Sequence, residues 1–149
     1  MAANINPIYA RAADLQQAGV LIGPTNNTTN DGTGSAIYSI YQADATEGSF
    51  VQKVIIKPIG TGTTAANVVR IYFHNQSTFV AGTTNGLSNT TLIAELTTTS
   101  WTYSATLASP QYEVPINMPM PAGTRLLMSV GTSTAAGNGF NPTVIAGKY

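Results

Sequence analysis

The sequence predicts an all-β protein: an antiparallel β-sandwich, built as a jelly roll, with an extended N-terminal arm. Three observations carry that expectation. Short apolar runs alternate with polar residues at a period of two, the periodicity of a strand with one buried face. Seven or eight such runs recur about every dozen residues, separated by Gly, Pro, Asn and Ser clusters, which is the spacing of a sandwich or barrel. Charged residues make up only 8% of the 149 residues while hydrophobic ones make up 43%. Roughly a third of the chain is Thr, Ser or Asn, a composition that suits hydroxyl-coated strands better than helices. Two four-stranded sheets fit the strand count. An immunoglobulin-like sandwich is the second architecture, since the fold does not require cysteine.

Residues 1–24 read as the arm and 25–149 as the sandwich domain. Asn6-Pro7 and Gly23-Pro24 bracket the first segment. Its apolar anchors are Ile5, Ile8, Tyr9, Leu15 and the run Val20-Leu21-Ile22; the run reads equally well as a first strand folded into the body. Ala12–Ala18 has the makings of a turn or two of helix, too short to stand alone. The Asn- and Gly-rich stretch 25–34 is a loop.

Strands follow. Residues 36–45 form the first clear one. Residues 50–59 place Phe50, Val54 and Ile56 on one face and Lys53 and Lys57 on the other. Residues 67–75 set Val69, Ile71 and Phe73 against Arg70, Tyr72 and His74, which puts His74 on an outward face. A long Ser/Thr/Asn/Gly loop covers 76–90. In 91–98, Leu92 and Leu96 share a face opposite Glu95. Residues 99–110 are irregular and carry Trp101 and Tyr103. In 112–118, Tyr112, Val114, Ile116 and Met118 alternate with Glu113, Pro115 and Asn117. Pro115 lacks an N–H for a ladder, so it marks an edge strand or a bulge. Leu126, Met128 and Val130 define the strand at 125–130, and 140–146 closes the domain.

The composition excludes several chemistries. Six cations balance six anions, so no basic footprint exists for a phosphate backbone and no nucleic-acid partner is expected. No window approaches a membrane span, and the N-terminus lacks the basic and apolar regions of a secretory signal. Without cysteine there is no disulfide, thiolate zinc site or thiol nucleophile. His74 is the sole histidine, too few for a triad or a multi-histidine metal site. No nucleophile elbow or phosphate-binding loop occurs. Gly32-Thr33-Gly34 and Gly60-Thr61-Gly62 are turns. Asp44 and Glu47 flank a turn, and Asp31 sits in a loop, but neither set supplies enough oxygens for a cation. The sequence therefore predicts no catalytic residue, no metal and no cofactor. Trp101 and Tyr103 share a parity: they read either as core plugs beneath a loop or as an exposed platform for a glycan or an oligomer interface.

Several short motifs resemble those of small virion proteins of tailed bacteriophages, in particular head decoration, or cement, proteins. They are Asn6-Pro7-Ile8-Tyr9, Asp31-Gly32-Thr33-Gly34, Lys57-Pro58-Ile59-Gly60-Thr61, Arg70-Ile71-Tyr72-Phe73-His74-Asn75, Met120-Pro121-Ala122-Gly123 and the terminal Val144-Ile145-Ala146-Gly147-Lys148-Tyr149. The resemblance spans nearly the whole length. It implies a β-sandwich homotrimer on the outer surface of the capsid, with the major capsid protein as partner. On that expectation Ile5, Pro7, Ile8 and Tyr9 of the arm grip the shell by insertion or strand addition. The alternative expectation is a receptor- or glycan-binding module of a tail fibre or spike.

Overall fold

The computed structural model describes residues 12–17 and 21–149, all of them strand, turn or loop. The strands are β1 (Ala12–Gln17), β2 (Tyr38–Gln42), β3 (Ser49–Ile59), β4 (Thr63–Thr64), β5 (Asn67–His74), β6 (Thr90–Thr98), β7 (Trp101–Thr102), β8 (Tyr112–Met120), β9 (Arg125–Val130) and β10 (Gly139–Lys148). One antiparallel sheet runs β1-β10-β3-β8 and the other β2-β9-β5-β6. β4 and β7 form a separate two-stranded ribbon. The all-β sandwich expected from the alternation is thus the observed architecture.

The core lies between the sheets. Val51, Val54, Ile56 and Val144 from one sheet meet Ile40, Val69, Ile71, Leu126, Met128 and Val130 from the other, all essentially inaccessible. Burying such side chains is the main force holding the two layers together, at about 1.5–3 kcal/mol per large aliphatic residue. The register of β10 against β3 places Gly139 opposite Ile59 and Lys148 opposite Ser49. Ser49 in turn faces Met120 of β8. These pairings give the sandwich two distinct ends. The connections 60–66, 99–111 and 131–138 meet at one end. The connections 43–48, 75–89 and 121–124 meet at the other, where Ala12 pairs with Lys148.

Three expectations need correction. Residues 12–17 form a strand, not a helix, because the unpaired edge of β10 offers Leu15 and its neighbours a complete ladder. Ile22 is fully buried and bridges Phe140, so of the two readings of the run Val20-Leu21-Ile22 its last residue follows the one folded into the body. Phe50 points outward, because a bulge between Val51 and Lys53 inverts the alternation and puts Val51 in the core instead. Another irregularity, between Ile71 and Tyr72 of β5, separates Leu92 from Leu96. Leu96 packs on the main core, while Leu92 joins a second cluster around Ile37, Tyr72 and Leu127.

That second cluster explains the misplaced histidine. His74 does lie on the face of β5 turned away from the main core, but residues 75–89 fold over that face and Phe79 and Ala81 complete a small second core. His74 is fully buried there. Its Nδ1 is 3.0 Å from the Thr90 hydroxyl and its Nε2 is 3.2 Å from the Thr78 carbonyl. Phe79 meets the imidazole edge-on at 5.7 Å. The imidazole is a structural strut of the covering loop.

Pro115 lies on β8, an edge strand paired only to β3, as its missing N–H requires. Asn117, two residues on, is the one described non-glycine residue with positive φ, at 47°. Asparagine tolerates this left-handed region better than other side chains, and the kink interrupts a regular edge against which another chain would pair.

Candidate functional site

The sandwich carries a distinct surface feature at each end. Ile5, Pro7, Ile8 and Tyr9 lie outside the described residues. What the structure defines is the root of that segment. β1 is tied to both sheets: its backbone pairs with β10, and its side chains reach across to β2. The Gln16 side chain donates to the Gln42 carbonyl at 3.0 Å and accepts from the Gln42 N–H at 3.1 Å. Its amide thus imitates a strand neighbour for the open edge of β2. The buried Tyr41 hydroxyl donates to the Asp14 carboxylate at 2.9 Å. Burial raises the Tyr41 pKa, and the neighbouring Asp14 carboxylate adds to the rise, so the phenol stays a proton donor to Asp14.

Beside this root the outer face of the β1-β10-β3-β8 sheet has a broad hollow of about 470 Å³. Ala12, Ala13, Phe50 and Ile145 supply its apolar lining, and Gln52 and Asn117 its polar part. Among the described residues no charged side chain lines it. The bulge that turned Phe50 outward builds this surface, and the strict alternation read from the sequence hides it.

The opposite end carries a narrower cleft of about 270 Å³. Trp101 and Tyr103 line it together, with Leu107 and the β3 end Pro58-Ile59. Tyr103 is 60% exposed and Leu107 is 66% exposed, so Tyr103 is not a core plug; the two aromatic residues wall an open depression. Their position rests on the β4–β7 ribbon, where Thr63 pairs with Thr102 and Thr64 with Trp101. The Tyr103 N–H donates to the Gly62 carbonyl at 3.0 Å. Ser104 closes the following turn by accepting the N–H groups of Thr106 and Leu107, both at 3.2 Å.

Asn138 fixes the cleft floor. Its Oδ1 accepts the Gly62 N–H at 2.7 Å. Gly60 sits against it with φ +137°, and a Cβ there would fall 2.3 Å from Asn138 Oδ1. Only glycine combines that backbone angle with so close an approach.

The carboxylates weighed for cation binding are engaged in turns. Asp44 Oδ1 accepts the N–H groups of Thr46 and Glu47 at 2.9 and 3.0 Å, and Lys148 Nζ lies 3.4 Å from Oδ2. Those backbone N–H bonds, then Lys148, hold Asp44 below the usual aspartate range. Asp31 Oδ1 accepts both the hydroxyl and the N–H of Thr33, at 2.6 and 2.9 Å, and is lowered for the same kind of reason. Among the described residues no three His, Asp or Glu side chains gather as a metal site.

Comparisons with protein-family models, with curated proteins and with solved structures find no match to this chain.

Proposed function

We propose that the chain is a phage capsid decoration protein, a homotrimeric cement that binds the outer surface of the head and stabilises contacts between capsomers. The observation that carries this reading is the coincidence at one end of the sandwich. There β1, which follows residues 1–11, starts beside a largely apolar hollow lined by Ala12, Ala13, Phe50 and Ile145 and, among the described residues, by no charged side chain. The reading assigns the grip to this hollow together with Ile5, Pro7, Ile8 and Tyr9, whose side chains share its apolar chemistry. Binding then works by buried apolar area, and a trimer multiplies three weak contacts through one placement, an avidity effect.

The strand order supports the jelly-roll form of the sandwich. Leaving aside the β4–β7 ribbon, the eight main strands interleave as first, eighth, third, sixth and second, seventh, fourth, fifth. Every sequential step except β5 to β6 therefore crosses between sheets, as two nested Greek keys require.

Co-sedimentation with heads stripped of this protein tests the reading. The full chain is expected to sediment with the heads, and both a chain lacking residues 2–10 and a Phe50→Asp variant to stay in the supernatant. Unchanged sedimentation of both variants rejects the gripping surface. The alternative, a receptor- or glycan-binding module of a tail fibre or spike, is separated by copy number. A cement is present in hundreds of copies per particle on a stained gel, whereas a fibre module is scarce.

A further inference from the structure

We infer that the cleft walled by Trp101 and Tyr103 is a binding site for a neutral sugar ring. The inference does not depend on whether the protein sits on a head or a tail.

The chemistry of the cleft selects the ligand class. Trp101 and Tyr103 present aromatic surface, and Pro58, Ile59 and Leu107 extend the apolar wall. Ser104, Ser109 and the buried Thr64 are also among its lining residues, and a hydroxyl both donates and accepts, so Ser104, although it closes the turn by accepting two N–H groups, keeps a proton to give. A sugar ring has the same duality: a C–H face that lies on an aromatic plane and a rim of hydroxyls that donate and accept. A wholly apolar ligand would strip water from the protein hydroxyls without replacing it. An anionic ligand would need a cation or a helix N-terminus, and among the described residues no Lys, Arg or His lines this cleft. A cationic ligand would need a carboxylate, and no described carboxylate lines it. The volume, about 270 Å³, falls just under the roughly 300–1,000 Å³ of sites for drug-sized molecules, so it suits one ring or two.

The site is held in place before any ligand arrives. The β4–β7 ribbon, the Ser104 turn and the Asn138 bond to Gly62 fix three of its sides. Preorganisation of this kind lowers the ordering cost of binding. The cleft also lies at the end of the sandwich opposite the root of residues 1–11, so a protein seated on a surface through that root keeps the cleft free.

Trp101 is the single tryptophan of the chain, so its fluorescence reports on this cleft alone. The purified full chain is titrated with glucose, galactose, mannose and N-acetylglucosamine, with N-acetylneuraminic acid and inorganic phosphate as charged controls. A saturable change is expected for at least one neutral sugar, with a dissociation constant on the order of millimolar, as befits a small ligand held by few contacts. Tyr103→Ala is expected to weaken that response at least tenfold. Leu107→Ser, at another exposed position of the same wall, is expected to weaken it as well, which guards against a folding defect in either variant. Leu87→Ala, at an exposed residue of the loop 75–89 at the other end, is expected to leave it unchanged.

No saturable change with any neutral sugar overturns the inference. So does an equal response to the charged controls, or a response that both cleft variants retain. A tryptophan signal that shifts with protein concentration in the absence of sugar overturns it too, since the cleft is then covered by a second copy. Failure of head binding leaves these titrations unaffected, so the two readings fall separately.

Discussion

Asn138 illustrates how single polar side chains hold this sandwich together where strands do not. It is buried, it accepts the Gly62 N–H, and its own carbonyl accepts the Thr134 hydroxyl. Asn138→Ala removes the partner of a half-buried N–H, a loss of about 1–3 kcal/mol. The expected outcome is a lower urea midpoint together with a weaker tryptophan response, because the cleft floor loosens; an unchanged midpoint contradicts this role. His74 belongs to the same group of residues. His74→Ala deletes two ring contacts and an aromatic edge contact inside a closed cluster. It is expected to cost about 2–4 kcal/mol, on the scale of other buried deletions, with hydrogen exchange accelerated first in residues 75–89. Protection lost evenly over both sheets would show that the imidazole does not specifically hold the loop. From the sequence His74 reads as a surface residue because strand parity assigns a face but not what covers that face. The covering loop carries few apolar side chains, chiefly Phe79 and Ala81 packed on Tyr72 and Leu92, and no periodicity announces them.

At the level of the element, alternation reads correctly along most strands and fails where a register shift turns a side chain over, as on β3 and β6. β9 and the inner face of β10 follow it, and so does β8 from Tyr112 to Met120. β3 departs at Gln52, where the register shifts and Phe50 leaves the core. Neither Val51 nor Lys53 carries a local signature of that shift, since a bulge is settled by pairing with β8 and β10 together. The hollow beside β1 is invisible in the sequence for this reason, whereas the Trp101–Tyr103 pair is legible as an aromatic couple of common parity. β1 poses the opposite problem. Its sequence is weakly helical, and tertiary pairing overrides that preference. Its hold depends on Gln16 bracketing Gln42 and on Asp14 accepting from Tyr41. The double variant Asp14→Ala, Gln16→Ala is therefore expected to free β1 selectively. Amides of β1 should lose protection by tenfold or more while β5 and β9 keep theirs. Uniform protection in both regions would mean that backbone pairing with β10 alone secures the strand.

For the whole molecule, the scarcity of charge decides how it responds to its surroundings. Three ion pairs occur among the described residues: Lys53–Glu113 at 2.7 Å, Arg70–Glu95 at 2.9 Å and Lys148–Asp44 at 3.4 Å. The pairs of Lys53 and Lys148 are exposed, contribute little and are screened by salt; Arg70 is largely covered and also holds the Asn27 and Thr29 carbonyls, so the fold rests chiefly on apolar burial. Its pH response follows from Asp31, Asp44 and Glu113. All three are lowered in the folded state, Asp31 by Thr33, Asp44 by the turn N–H groups and Glu113 by Lys53. A carboxylate lowered on folding stabilises fully above its ordinary value, 3.8 for aspartate and 4.5 for glutamate. That contribution is lost as pH falls through the folded value. The unfolding midpoint is thus expected to stay flat from pH 8 to 5 and to decline only below about pH 4; a decline beginning near pH 6 contradicts this account. On the proposed reading the same scarcity governs attachment. Among the described residues no charged side chain lines the hollow beside β1, and the reading assigns the rest of the grip to Ile5, Pro7, Ile8 and Tyr9. At 1 M salt the screening length falls to about 3 Å, which removes most attraction between exposed charges but leaves apolar burial intact. Head co-sedimentation is accordingly expected to hold between 0.1 and 1 M sodium chloride. A loss of tenfold or more over that range would mean that ionic contacts carry the attachment, and the proposed apolar gripping surface would have to be abandoned.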